Sequence, residues 1–508
     1  MLARLRSSLL RGIDADPCEV EVDLDPTGFT KQTVVGLPDA AVKESMERVR
    51  AALANGGYPF PQGQVLVNLA PADVRKEGPT YDLPIAVGLL LTQGVLHQQQ
   101  GSLDPRRFVV AGELALDGRL RPIRGALAAA SMAERERCDG VILPAENARE
   151  AAVVEGVQVY GARTLQEVVA WINGELEPEP VPGPDVAAML RGAEAPVDFG
   201  EVRGQETVKR AIVVAAAGGH NLLMIGPAGT GKTMMAKALP GVLPPMSIPE
   251  ALEVTRIASA AGVLPSDQGL VTIRPVRSPH HTASSAAIVG GGIVPRPGEI
   301  SLAHRGVLFL DELVEFPRPV LETLRQPLED RVITIARAHG TVRFPASFMM
   351  VAAMNPTAKG SVSAGELGRR EAERYQAKLS GPLLDRIDVH VEAPAVPYDQ
   401  LRGAGPKGTD TASMREQVAS ARAAQSARQG PDVLNGELKH RELDEWSKLE
   451  GLAAELLRQA VTELGLSARA YDKIRRVART CADLDGAADV DDAHVAEAIS
   501  YRLLDRHR

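Results

Sequence analysis

The chain contains the stretch Gly226-Pro227-Ala228-Gly229-Thr230-Gly231-Lys232-Thr233, which matches the phosphate-binding loop pattern G-x-x-x-x-G-K-S/T at every fixed position. A short apolar run of strand length, residues 221–225, precedes it, and the residues after Thr233 have helical character. Glycines let backbone N–H groups approach a polyphosphate closely, and the start of the following helix adds partial positive charge. The stretch therefore predicts an ATP site in which Lys232 neutralises the β- and γ-phosphates and the Thr233 hydroxyl binds Mg²⁺.

A second stretch, residues 306–312, has the pattern of a buried strand that ends in two carboxylates, Asp311 and Glu312. Asp311 is predicted to hold Mg²⁺, and Glu312 is predicted to be the base that polarises the attacking water. The alternative is a pair of solvated acids at a strand end. Together with the phosphate-binding loop, these residues predict hydrolysis of a nucleoside triphosphate, but they do not indicate what the hydrolysis drives.

Length and composition limit the possible classes of protein. With 508 residues the chain is long enough for two to four domains. Its net charge of −8 means that any contact with DNA requires a local basic patch, such as the pore of a ring. The three cysteines, Cys18, Cys138 and Cys481, are far apart and suit a reducing cytoplasm, which is the predicted location. No run reaches the roughly 18 apolar residues of a membrane span, so no membrane partner is predicted.

Residues 1–174 alternate strand and helix patterns and are predicted to form an α/β domain. Residues 112–123 and 141–147 resemble the Lon protease domain, which has a ribosomal S5 domain 2-like fold. Lys76-Glu-Gly-Pro79 resembles the stretch beside the catalytic serine of that family. Here the serine position carries Thr80, or Tyr81 if the register shifts by one, and no lysine occurs between residues 76 and 209. The resemblance therefore implies a Lon-like fold without the Ser–Lys dyad of a peptidase.

The rest of the chain divides by composition into four further segments. Residues 175–196 alternate proline with Glu, Val and Gly, which predicts a stiff linker. Residues 197–395 carry both nucleotide motifs and resemble an AAA+ module. Residues 396–440 are a connection rich in Gly, Ala and Gln, and residues 441–508 have the apolar spacing of helices, which resembles the helical lid of AAA+ proteins.

Two residues fit the positions at which AAA+ proteins sense the γ-phosphate. Asn355 follows the apolar strand pattern of residues 347–354 and fits the sensor-1 position; alternatively it only ends the strand before Pro356. Arg469 stands at the start of a helix that Ser467 is predicted to cap, and it fits a sensor-2 arginine. The alternative for Arg469 is an ordinary surface arginine.

A third arginine has a predicted role between subunits. Arg386 lies in Leu383-Leu-Asp-Arg386 and would act on the γ-phosphate of a neighbouring subunit as an arginine finger. The alternative is a surface ion pair with Asp385 or Asp388. The stretch resembles the Leu-Leu-Asp-Arg pattern of magnesium chelatases, which favours the finger and implies a ring.

Several blocks closely resemble the YifB/ComM family of magnesium-chelatase-like AAA+ proteins: Gly218-Gly-His-Asn221, residues 277–304 and residues 380–387. The likeness covers nearly the whole chain. Within the second block, His280 and His281 are adjacent in a segment predicted to be extended, so they should point to opposite faces and form a poor chelating pair. The family often has a cysteine cluster after Asn355; this chain has none there, so no metal role is predicted for that segment.

The resemblance implies a homo-hexameric ring that uses ATP and Mg²⁺ to drive a DNA motor, a helicase or branch-migration factor that acts on recombination intermediates, as in natural transformation. Recombination proteins are possible partners. The alternative is a metal-insertion ATPase subunit of the magnesium-chelatase type. That subunit works beside a partner with the pattern D-x-S-x-S, and this chain contains no such pattern.

Residues 331–344 form two alternating stretches around Gly340, which predicts a β-hairpin. The segment has three arginines, one histidine and no acid, so Arg337 and His339 near its tip are predicted to touch DNA phosphates. The alternative is a sheet edge whose basic residues keep other strands away. The next candidate for DNA contact is the basic segment of residues 369–378, which is equally typical of a solvated helix.

Overall fold

The computed structural model describes residues 1–97, 102–292, 294–337, 340–357, 375, 378–379, 381–397, 408–431, 433–502 and 504. Two large sheets follow one another along the chain, and a group of helices packs on the second. Within this part of the chain, no helix is both long and apolar enough to cross a lipid bilayer. The predicted mixed α/β class is confirmed.

The first sheet is built from strands β1 to β5, β8 and β9, in the order β3-β4-β2-β1-β5-β8-β9. Strands β6 and β7 form a separate antiparallel ribbon. The bounds are β1 Leu2–Arg11, β2 Asp14–Asp25, β3 Lys31–Val35, β4 Gln64–Ala70, β5 Phe108–Val110, β6 Glu113–Leu114, β7 Leu120–Arg121, β8 Gly140–Pro144 and β9 Gln158–Ala162. Strands β1 and β2 are the two arms of a hairpin whose turn is Gly12-Ile13. This sheet is consistent with the predicted Lon-like domain.

Helices cover the first sheet, and burial explains their composition. The helix Asp82–Thr92 is apolar almost all round because its surroundings bury it on every side. Its one acid, Asp82, is paired with Arg48, whose Nε lies 2.7 Å from Asp82 Oδ2. The helices of this part of the chain are Ala40–Asn55, Asp82–Thr92, Ala126–Arg135, Ala145–Ala151, Leu165–Asn173 and Val186–Arg191.

The second sheet is parallel, in the order β11-β14-β17-β10-β18. Most of its strands are short and fully buried, as expected for a sheet covered on both faces. Two small antiparallel ribbons, β12–β13 and β15–β16, stand beside it. The bounds are β10 Leu222–Ile225, β11 Val276–Arg277, β12 Gly290–Gly291, β13 Arg296–Pro297, β14 Val307–Leu310, β15 Val332–Arg337, β16 Gly340–Pro345, β17 Met349–Met354 and β18 Val389–Glu392. The predicted hairpin is thus confirmed as β15–β16.

Helices surround the second sheet, and the C-terminal helices share its core: Val208, Val351, Val418 and Val477 belong to one hydrophobic cluster. The helices around the sheet are Glu206–Gly218, Lys232–Ala238, Ile248–Ala261, Ser285–Val289, Glu299–Leu302, Arg318–Thr323, Arg325–Asp330 and Gly381–Leu384. Those that follow are Thr411–Gln429, His440–Trp446, Gly451–Leu464, Ala468–Leu484 and Asp492–Ser500.

The two sheets are joined through helix Ala126–Arg135 of the first domain and helix Ile248–Ala261 of the second. Leu127 and Val254 lie in one apolar cluster. An ion pair at the rim, Arg256 Nη1 to Asp14 Oδ1 at 3.1 Å, adds a polar contact. The β1–β2 turn also reaches across, because Ile13 is buried in the apolar cluster of the second domain.

A buried polar cluster fastens the C-terminal helices to the second sheet. Asp388, one residue before β18, accepts from Lys473 Nζ at 3.0 Å, and His220 Nδ1 lies 3.7 Å from it. The other ring nitrogen of His220 lies 2.8 Å from Thr480 Oγ1. Burial opposes the charge on Asp388, but Lys473 and His220 outweigh it and hold the pKa of this carboxyl well below its usual range.

Replacing Asp388 by alanine is expected to cost about 3–5 kcal/mol of unfolding free energy, because Lys473 is left buried without its partner. Its depressed pKa means that the stabilisation is present above the unfolded-state pKa of about 4 and is lost as the pH falls below it. Urea denaturation from pH 7 to pH 3 measures both effects. Glu450→Ala, which breaks an exposed pair with Lys448, is the control. A loss below about 1 kcal/mol for Asp388→Ala would match a surface pair and contradict the prediction.

Candidate nucleotide site

The predicted phosphate-binding loop joins β10 to the helix Lys232–Ala238 at the carboxyl edge of the parallel sheet, where ligands of such sheets bind. A Cβ at Gly226 would lie 2.1 Å from the Ala393 carbonyl oxygen, so only glycine fits there. Gly229 and Gly231 have φ of +81° and +86°, and a Cβ on either would meet open space. The loop thus has the backbone freedom that a phosphate cradle needs.

The side chains of Lys232 and Thr233 both face this loop region. Lys232 Nζ donates to the carbonyl oxygens of Gly226 at 2.7 Å and Pro227 at 2.8 Å, and burial lowers the pKa of this ammonium. Thr233 Oγ1 donates to Asp311 Oδ2 at 2.8 Å. The structure therefore brings together a hydroxyl and a carboxylate, oxygen ligands that suit Mg²⁺, beside the ammonium that would face the phosphates.

Glu312 stands beside Asp311 in an uncommon backbone conformation. Its φ of +52° and ψ of +48° are left-handed, which is rare for a residue with a side chain. Its carboxylate is about half exposed, and Oε2 lies 3.3 Å from His281 Nδ1. Such strain is typical of functional sites, where the surrounding structure holds a side chain in place. The placement fits a base that faces a water beside the γ-phosphate.

His281 is a site residue that sequence reasoning missed. The rings of His280 and His281 lie 4.1 Å apart and tilted by 33°, so they are on the same side, and the prediction of opposite faces is wrong. The reason is a turn that begins at His281, whereas alternation holds only in extended chain. The ring of His281 also meets the edge of Phe316, which leaves Nδ1 directed at Glu312. The sequence held one signal for a role of His281 in the site, which is its position in the chain between the phosphate-binding loop and Asp311.

Asn355 lies at the same edge of the sheet. Strand β17 runs between β10 and β14, with Met354 opposite Ile225 and Ala352 opposite Leu310. Asn355 therefore follows the strand between the phosphate-binding loop and Asp311. This is where a sensor-1 side chain would stand, and its role remains a prediction.

Arg386 lies at the other end of the strands of the same sheet, near the amino end of β10. Asn221 Nδ2 donates to the Arg386 carbonyl oxygen at 2.7 Å, and Asn221 Oδ1 accepts from the Met350 N–H at 2.8 Å. Asn221 and Gly226 flank the four residues of β10, which span about 13 Å at 3.3 Å per residue. The last residue of Gly218-Gly-His-Asn221 thus positions the segment of the predicted finger, a role that the sequence did not reveal.

The Arg386 side chain lines a cavity of about 510 Å³. It pairs with Glu329, so the alternative partners Asp385 and Asp388 are not those that the structure shows. Burial, together with Arg469 and Arg325, lowers the pKa of Arg386. Its Nε is buried without a hydrogen-bond partner in the described part of the chain.

Arg469 lines the same cavity, and its Nη1 lies 3.7 Å from Asp385 Oδ2. The sensor-2 role of this arginine stays a prediction. In the structure, helix Ala468–Leu484 begins near the amino ends of the strands, whereas the phosphate-binding loop lies at their carboxyl ends. Arg386 and Arg469 therefore lie together in one cavity, at the ends of the strands away from the phosphate-binding loop.

Of the predicted DNA contacts, Arg337 is exposed at the end of β15, and its Nε donates to the Gly292 carbonyl oxygen at 3.3 Å. Arg337 has no ion pair with the described residues. His339 lies outside those residues, as does most of the basic segment 369–378. At the base of the hairpin, Arg331 Nη1 pairs with Glu437 at 2.5 Å.

Comparison with protein families identifies three consecutive matches. Residues 198–401 match the family described as magnesium chelatase, subunit ChlI, and residues 408–502 match the C-terminal region of that subunit. Residues 20–147 match a family described as subunit ChlI of Mg-chelatase. Together they cover the central part of the first domain, the second sheet and the C-terminal helices, while β1 and β9 lie outside the matches.

Several curated proteins are similar to the chain over its full length. The competence protein ComM of Haemophilus influenzae is 42% identical over 99% of this chain and 98% of its own. The protein YifB of Salmonella typhimurium is also 42% identical, with the same coverage. The magnesium-chelatase 38 kDa subunit of Cereibacter sphaeroides is 25% identical over 61% of this chain and 92% of its own. The chain therefore belongs to the YifB/ComM family of magnesium-chelatase-like AAA+ ATPases.

Proposed function

We propose that this AAA+ ATPase is the subunit of a homo-hexameric DNA motor, a ComM-like helicase or branch-migration factor that acts on recombination intermediates. The observation that carries the proposal is the hairpin β15–β16. Its apolar residues Ile333, Ile335 and Phe344 are buried in the core of the nucleotide domain. Arg337 and Arg343 are exposed on it, and its described residues include no acid. A basic element anchored in an ATPase core is suited to gripping phosphates.

Membership of the family implies the use of nucleotide and magnesium, and the residues present fit both. Lys232 and the backbone of the glycine-rich loop would hold the phosphates, while Thr233 and Asp311 would hold Mg²⁺. The metal would neutralise the charge that develops on the phosphates during transfer. Glu312 would take the proton from the attacking water, and Asn355 would orient that water.

The arrangement of the arginines supports the ring. Each subunit would present its phosphate-binding loop from one edge of the sheet and Arg386 with Arg469 from the other. An interface of this head-to-tail kind closes into a ring when its rotation allows. In a hexamer each nucleotide would then lie between the loop of one subunit and the arginines of the next.

Arg337→Gln is expected to weaken binding of single-stranded DNA several-fold. One lost phosphate contact should lower the slope of log affinity against log salt concentration by about 0.7. Fluorescence anisotropy of a labelled oligonucleotide at several salt concentrations measures both. Arg343→Gln removes the same charge three residue pairs below the hairpin end, about 10 Å away, and should have the smaller effect. If Arg337→Gln and wild type have equal DNA affinity and equal salt dependence, Arg337 does not contact the DNA phosphates.

The alternative function, a metal-insertion ATPase subunit, is favoured only by the likeness to the magnesium-chelatase subunit. The two functions differ in what stimulates ATP turnover. For a DNA motor, branched or single-stranded DNA should raise turnover, and a fork or Holliday junction should be unwound only with ATP. Stimulation by a porphyrin together with indifference to DNA would overturn the proposed function.

A further inference from the structure

A cleft runs between the first domain and the two small ribbons of the nucleotide domain. It consists of a cavity of about 730 Å³ and a smaller one of about 170 Å³. The two adjoin, because Leu9, Leu10, Arg75 and Val294 line both. One wall is Lon-like and the other belongs to the AAA+ core.

The walls of this cleft are held together by packing at one side. The β1–β2 turn rests on the hairpin β15–β16, where Ile13 is buried with Ile335 and Phe344. A Cβ on Gly12 would come within 2.6 Å of Val342 Cγ1, which shows how closely the turn approaches. The position of the Lon-like wall relative to the hairpin is therefore set by apolar contacts.

The cleft is basic in a chain that is acidic overall. Its lining has three acids, Asp73, Glu77 and Glu113, and a larger number of arginines. The arginines are all solvent-exposed: Arg11, Arg75, Arg124, Arg296 and Arg337. Glu77 is already 3.8 Å from Arg75, and Glu113 is 3.4 Å from Arg121. Arginines that outnumber acids in a cleft favour a polyanion.

The segment that resembles the stretch beside the catalytic serine of Lon opens into the same cleft. Gly78, Pro79 and Thr80 line its smaller cavity. The predicted serine position carries Thr80, or Tyr81 if the register shifts by one, and Tyr81 lines the cavity as well. Lys76 does not offer an amine to it, because its buried ammonium donates to the carbonyl oxygens of Pro71 and of Val74, the latter at 2.8 Å. The cleft is therefore open at this position, and Lys76 is not available there to activate a hydroxyl for peptide cleavage.

We propose that this cleft is a path for a single strand of DNA, whose phosphates are held by Arg75 and Arg124 of the Lon-like domain and by Arg296 opposite them. The proposal rests on the proposed DNA-motor function and gives the Lon-like domain a share in binding the strand. A strand held by Arg337 on the hairpin would lie directly beside the cleft, which Arg337 also lines. Tyr81, the only aromatic residue among the described residues that line the cleft, is fully buried, so contact is with the backbone and independent of sequence.

The test is DNA binding by the full-length Arg75→Gln/Arg124→Gln variant with an oligothymidylate probe. Loss of two phosphate contacts should weaken binding about tenfold or more and lower the salt slope by about 1.4. The control, Arg119→Gln/Arg163→Gln, removes the same charge from exposed sites of the same domain outside the cleft and should leave the slope unchanged. An unchanged melting temperature shows that a variant is folded.

The outcomes separate this proposal from the function on which it rests. If wild type shows no salt-dependent DNA binding, both fail. If Arg337→Gln weakens binding while Arg75→Gln/Arg124→Gln equals wild type, only the cleft proposal fails. If polyglutamate competes with the probe as well as unlabelled DNA does, the cleft binds acidic polypeptide and the proposal is overturned.

Crosslinking gives a second measurement that does not depend on the arginine variants. The three native cysteines are all buried, so a Thr80→Cys variant has one accessible thiol to carry a benzophenone label. Irradiation with bound oligothymidylate should crosslink the strand to this position. The same label on Ala54→Cys, on the exposed face of helix Ala40–Asn55, is the control. Equal yields from the two positions would contradict a path through the cleft.

Discussion

Glu312→Gln is expected to lower ATP turnover by at least about 10²-fold, since a general base typically contributes 10²–10⁴-fold. Nucleotide affinity should stay within a few-fold of wild type. The substitution keeps the size of the side chain and removes only the basic oxygen. The residues that would hold the phosphates, Lys232 and the glycine-rich loop, belong to a different element and remain unchanged.

Two comparison variants sharpen this experiment. Glu315→Gln changes another carboxylate of the same turn, one that accepts from the Tyr375 hydroxyl at 3.0 Å, and it should turn over ATP nearly as wild type does. Lys232→Ala should instead weaken nucleotide binding itself, because the phosphates lose their main cation. Steady-state turnover and titration with a fluorescent nucleotide give both quantities. A turnover number for Glu312→Gln within a few-fold of wild type would remove Glu312 from its role.

Arg386→Ala is expected to reduce ATP turnover of the assembled ring by about 10³-fold or more, the range for a lost arginine finger. The nucleotide affinity of each subunit should be nearly intact, because Arg386 lies at the sheet edge away from its own phosphate-binding loop. Mixing Arg386→Ala with Glu312→Gln subunits should restore part of the activity. In some interfaces of a mixed ring, an intact base and an intact finger meet.

The control for this variant is Glu329→Gln. It breaks the same ion pair but keeps the arginine, so a finger role predicts substantial activity and a purely structural pair predicts the same loss as Arg386→Ala. Native mass spectrometry shows whether mixed rings form. If they form and no mixing ratio restores turnover, Arg386 does not act between subunits.

The sequence predicted those parts of the site whose structure is determined by residues close together in the chain. The loop from Gly226 to Thr233 needs glycines at fixed spacing because of steric limits within the loop itself. Asp311 follows a four-residue buried strand, so its place at the edge of the sheet followed from the pattern of one segment. The hairpin β15–β16 was also predictable, since its alternating stretches flank a turn.

The parts that the sequence did not predict depend on contacts between distant segments. Nothing near Arg469 indicates that its helix begins beside Asp385, because a buried pair 85 residues apart, Asp388 with Lys473, sets that position. His281 reaches Glu312 through a turn that alternation does not reveal. Asn221 touches Arg386 and Met350, residues that the parallel strands bring together. Such placements follow from tertiary packing rather than from local pattern.

Strand β10 has one consequence for timing in the proposed ring. Its carboxyl end would carry the loop for one ATP, and its amino end, through the bond from Asn221 to the Arg386 carbonyl oxygen, would position the arginine that acts on the next ATP. Two ATP sites would thus be connected by a single buried strand of four residues. A displacement of the phosphate-binding loop at one ATP site would shift Arg386 at the other, because no flexible loop lies between them along β10. ATP hydrolysis in neighbouring subunits is therefore expected to be correlated around the ring rather than random.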